Sequence, residues 1–123
     1  MSTPTTESLE ETTVTHAHLR QKCEDALAAI ERGLAVPPIQ SLGPVDEAER
    51  ALAALRDGCI DLLRQEPSAR ERRSLRHALN QVNATLSLIL GVEYPVLGVQ
   101  ENLLKDARKT LKSLLHRAAL RPD

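Results

Sequence analysis

His77 is the histidine whose neighbours invite chemistry. It stands in Arg76-His77-Ala78-Leu79-Asn80, within a stretch, Ser68 to Gly91, whose apolar residues recur at helical spacing. At about 100° per residue it lies roughly 200° from Leu75. That predicts a solvent-facing imidazole on the side shared with Gln81 and Ala84. A second set is basic: Arg70, Arg72, Arg73 and Arg76, with Lys105, Arg108, Lys109 and Lys112. These eight form the candidate binding surface, because guanidinium groups grip carboxylates and phosphates through paired donors. His16, His18 and Cys23 do not spell a metal site, since residues two apart on a helix diverge by about 200°. His116 has no second ligand nearby in sequence, and its charge suits a helix C-terminus. The chain contains no Glu-x-x-His pair of the di-iron bundles, no glycine-rich phosphate loop and no G-x-S-x-G elbow. Neither a catalytic centre of its own, nor a metal, nor a cofactor is expected.

The text around His77 resembles the phosphoacceptor helical hairpin of two-component histidine kinases. That family presents a histidine in patterns like R-H-x-L-N, matched here by Arg76 to Asn80, with Ile89-Leu90-Gly91 downstream. The stretch Glu101–Ala118 is similar to the family's second hairpin helix, so the resemblance covers about residues 70–118. It implies His77 as a phosphoacceptor. The chain departs from the family at Ala78, where a Glu or Asp usually follows the histidine, and in a longer histidine-to-glycine distance. No ATP-binding domain lies within the 123 residues. On this resemblance the chain would receive phosphate from a partner or pass it on.

Composition narrows the remaining classes. Tyr94 is the only aromatic residue, so the core is aliphatic and there is no platform for stacking bases. Residues 1–66 carry a net charge of −6 and residues 67–123 a net of +5. An acidic helix pair beside a basic pair accounts for that split, and a basic half that meets an anionic partner is the sharper alternative. Cys23 and Cys59 each fall in an apolar stripe and read as small buried hydrophobes. With no secretory leader and no span-length apolar run, a cytoplasmic chain is expected, away from membranes.

Four elements must position these residues. The first helix starts near His16, with Leu19, Cys23, Ala26 or Leu27, Ile30 and Leu34 on one face and Gly33 as its terminator. The apolar linker 34–44 follows, broken by Pro37-Pro38. Pro44 opens the second helix, striped by Ala48, Leu52, Leu55, Cys59 and Leu62 or Leu63. Ser68 and Glu71 have capping-box spacing and start the third. Its stripe is Leu75, Leu79, Val82, Leu86 and Ile89, and Gly91 offers its stop. The fourth runs from about Val99 to Leu120. The expected fold is an all-α antiparallel four-helix bundle over residues 7–121 behind a disordered tail, 1–6, with completion by dimerisation as the alternative. Leu79, Val82, Leu86, Leu104, Leu111 and Leu114 are expected to be buried together.

The functional expectation is a non-catalytic helical interaction or regulatory module that binds a protein partner or a second copy of itself. Residues 86–99 are dense in Leu, Val and Ile, with Glu93 their only charge. That marks Leu90, Val92, Tyr94, Val96 and Leu97 as the candidate interface. Histidine phosphotransfer through His77 is the alternative. Weak nucleic-acid binding by the basic half comes third, against an acidic half that repels phosphate backbones.

Overall fold

The computed structural model describes residues 15–37, 40–92, 99–117 and 120. The proposed tail lies outside them. Four helices follow in order: α1 (His16–Leu34), α2 (Leu42–Arg64), α3 (Ala69–Val92) and α4 (Val99–Leu114). Each packs on the next, and α4 packs back on α1. The four therefore close an antiparallel ring within one chain, and completion by dimerisation is not needed to build the bundle.

Local chemistry explains most helix starts. Thr15, in extended conformation, accepts the His18 N–H through its hydroxyl at 3.2 Å and caps α1. The Ser68 hydroxyl accepts the Glu71 N–H at 3.2 Å, as the spacing predicts. Pro44 lies in the first turn of α2, where its missing N–H costs no ladder bond. The α2–α3 link is so tight that Glu66 takes φ 54°, a left-handed value that few side chains adopt.

The core is aliphatic throughout. Leu19, Cys23, Ala26 and Ile30 meet Leu52, Leu55 and Cys59 from α2, and Leu104, Ala107, Leu111 and Leu114 from α4. On α3 the buried face is Leu75, Ala78, Val82, Thr85 and Ile89. Leu79 and Leu86, expected at its centre, are only partly buried and pack along its edge. The helix is rotated relative to its leucine stripe. This brings Thr85 into the core, where its hydroxyl donates to the Gln81 carbonyl at 2.8 Å and so needs no other partner.

Two helix ends differ from expectation. Gly33 does not terminate α1. It is a buried position inside the helix, and a Cβ there would sit 3.6 Å from Pro44 Cβ and 3.8 Å from Leu104 Cδ1, ordinary contact distances. Gly33→Ala should therefore fit, and should raise stability by about 0.5–1 kcal/mol through helix propensity. A lowered midpoint in chemical denaturation would show that the α1–α2 crossing cannot take a methyl group. At the other end, α4 stops at Leu114 rather than Leu120. The N–H groups of His116 and Arg117 turn back to the carbonyls of Ser113 and Leu114, tightening the last turn. The Leu115 carbonyl accepts from Arg20 Nη1 on α1 at 3.3 Å. Leu120 is fully buried.

Candidate functional site

His77 is not solvent-facing. The rotation of α3 turns it toward the seam with α4, where it is half-buried. Its Nε2 is buried and has no hydrogen-bond partner. The position of Gln81, one turn on, identifies the seam: Gln81 shares a hollow of about 240 Å³ with Lys109, Thr110, Ser113, Leu114 and Arg117. The Nε2 side of the ring therefore offers an incoming phosphoryl group no open surface.

The basic residues divide by place. Arg70, Arg72, Arg73 and Arg76 are exposed on the first two turns of α3. Lys109 and Lys112 are exposed near the end of α4, and Arg108 is half-buried. Because α3 and α4 run antiparallel, the start of one and the finish of the other share an end of the bundle. Arg117, which sequence reading passed over, joins them there. Lys105 stands apart, a turn or more away and paired with Glu101 at 3.1 Å.

Ion pairing separates the two halves of the ring. On α1 and α2 every cation except Lys22 has a carboxylate partner: Arg20 with Glu24, Arg32 with Glu47, Arg50 with Asp46, Arg56 with Asp57 and Arg64 with Asp61. Of the lysines and arginines on α3, on α4 and in the turn after it, only Lys105 has one among the described residues. The first half thus neutralises much of its own charge, and the second presents its cations uncompensated. A larger hollow of about 400 Å³ between α1 and α2 has an alanine floor, Ala28, Ala51 and Ala54, but the Arg32–Glu47 and Arg50–Asp46 pairs occupy its rim.

Of the candidate apolar interface residues, Leu90 sits at the opposite end. Leu90 is 46% exposed, and Leu42, which sequence reading placed in the linker, is 58% exposed. Leu42 opens α2 and Leu90 nearly closes α3, so antiparallel packing puts both at one end. Tyr94, Val96 and Leu97, and the side chain of Val92, lie outside the described residues.

The cysteines are free and buried. Burial, and then the Glu24 carboxylate, push the Cys23 thiol up to about 12, against a smaller opposite pull from Arg20. Burial alone pushes Cys59 up to about 11. The Cys23 thiol also donates weakly to the Leu111 carbonyl at 3.7 Å. Thiols held neutral in this way are packing groups, not nucleophiles. Among the described residues no helix is long and apolar enough to cross a membrane. Compared with protein-family models, with curated proteins and with solved structures, the chain finds no match.

Proposed function

We propose that this protein is a helical interaction module that binds a protein partner, or a second copy of itself, through the end of the bundle that carries Leu42 and Leu90. The observation that supports the reading is their joint exposure. They are the large hydrophobic side chains left open among the described residues, and both fall at one end of an otherwise well-buried bundle. Apolar surface gathered at one place is costly to leave in water and favours a contact. The free, buried cysteines accord with a reducing, cytoplasmic setting. The phosphotransfer alternative would use the other ring nitrogen of His77, or turn the ring out of the seam.

Sedimentation at micromolar concentration tests the self-association arm. A mass above the 13.5 kDa of one chain, reduced to it by Leu90→Glu or Leu42→Glu, is the result expected for a homodimer. Each glutamate would have to desolvate its charge in the interface, weakening association by at least about tenfold. If the wild-type chain is monomeric, affinity capture from its own cell extract takes over. A partner retained by wild type and lost with Leu90→Glu is then expected. A partner retained equally by both Glu variants would remove this end from the interface.

A further inference from the structure

We infer that the hollow between α3 and α4 binds the phosphate group of a small molecule. Two observations point there. First, the residues that line it are Gln81, Lys109, Thr110, Ser113, Leu114 and Arg117: all but Leu114 carry hydrogen-bond donors, and none is a carboxylate. Such a set matches a tetrahedral oxyanion, which accepts several hydrogen bonds and rewards positive charge. Second, Lys109 and Arg117 have no ion-pair partner among the described residues, whereas on α1 and α2 every lysine and arginine but Lys22 has one. Arg70 and Arg73 are likewise unpaired. They lead to Gln81 by way of His77 in steps of three, four and four, so one edge of α3 carries all four residues.

The size of the hollow sets the ligand class. At about 240 Å³ it is smaller than the roughly 300–1,000 Å³ of sites that enclose drug-sized ligands. It suits a phosphate with a short substituent. The nearby C-terminus of α4 does not oppose an anion strongly. The Ser113 and Leu114 carbonyls are taken by the His116 and Arg117 N–H groups, and the Leu115 carbonyl by Arg20. A diffuse polyanion would need the charges but not the hydroxyls and the amide, so the directional donors favour the small ligand.

The test is a titration of the full chain with inorganic phosphate, and separately with glycerol 3-phosphate, at constant ionic strength, followed by amide chemical shifts. The expected result is saturable change at the Gln81 side-chain amide and the Thr110 and Ser113 backbone amides in the millimolar range. Lys109→Gln and Arg117→Gln should each weaken binding by about tenfold, the loss of one charge-assisted hydrogen bond. Arg72→Gln, equally charged but off that edge of α3, should change it by less than about twofold. All three positions are solvent-exposed, so these variants should fold, and unchanged helical circular dichroism would verify that. Tighter binding of glycerol 3-phosphate identifies a phosphomonoester as the ligand, and equal or weaker binding identifies free phosphate. Three outcomes overturn the inference: no saturation by either compound, an Arg72→Gln loss as large as that of Arg117→Gln, or binding only of a single-stranded oligonucleotide.

Discussion

Leu111→Ala should destabilise the bundle by about 2–5 kcal/mol, the range for emptying a fully enclosed leucine site. Leu111 has no solvent exposure, and its backbone carbonyl receives the Cys23 thiol, so it lies at the contact of α4 with α1. A cavity there is lined by elements from different parts of the chain, and helix backbones cannot collapse into it without losing packing elsewhere. Leu86→Ala provides the comparison. The same atoms leave, but Leu86 is only partly buried, so less transfer energy is lost and water can fill the space. About 1–2 kcal/mol is expected for it. Chemical denaturation of the two variants measures both. Equal losses would show that α3 does not have the rotation described above, and that its leucine stripe faces the core after all.

Raising the pH from 8 to 10 should cost about 2–3 kcal/mol of stability through the two cysteines. The sign follows from where each thiol is neutral. In the unfolded chain a thiol ionises around its ordinary value of 9.0, whereas in the fold Cys23 holds its proton to about 12 and Cys59 to about 11. Above pH 9 the unfolded state therefore binds fewer protons than the native one, and stability falls as pH rises. The contribution is fully present below pH 9 and is lost progressively up to the folded values. Each thiol accounts for about 1.4 kcal/mol at one pH unit above its unfolded value. Denaturation midpoints across this range, compared with those of a Cys23→Ala, Cys59→Ala variant, isolate the effect from other alkaline titrations. Parallel pH profiles for the two proteins would contradict it. The same burial predicts that neither thiol is alkylated at pH 8 until denaturant is added.

Much of this molecule is written locally in its chain. Four apolar stripes at helical period, the Ser68 cap, the prolines near 37 and 44 and a chain with Tyr94 as its one aromatic residue lead to a closed aliphatic bundle, because helix period and capping depend only on near neighbours in sequence. The placement of Cys23 and Cys59 in buried stripes was legible for the same reason. The azimuth of each helix was not. A stripe of leucines on α3 names a face only to within about one residue's turn, and the seats of α2 and α4 decide which part of it is central. That choice buried Ala78 and Thr85, moved Leu79 and Leu86 to an edge and turned His77 into the α3–α4 seam. The closing of α4 at Leu114 likewise goes with a tertiary contact, since the Arg20 hydrogen bond to the Leu115 carbonyl comes from a residue far away in sequence. The gathering of Lys109 and Arg117 with Gln81 around one hollow, and of Leu42 with Leu90 at one end, follows from antiparallel packing. It joins residues that no sequence spacing relates, and it became visible only once the helices were side by side.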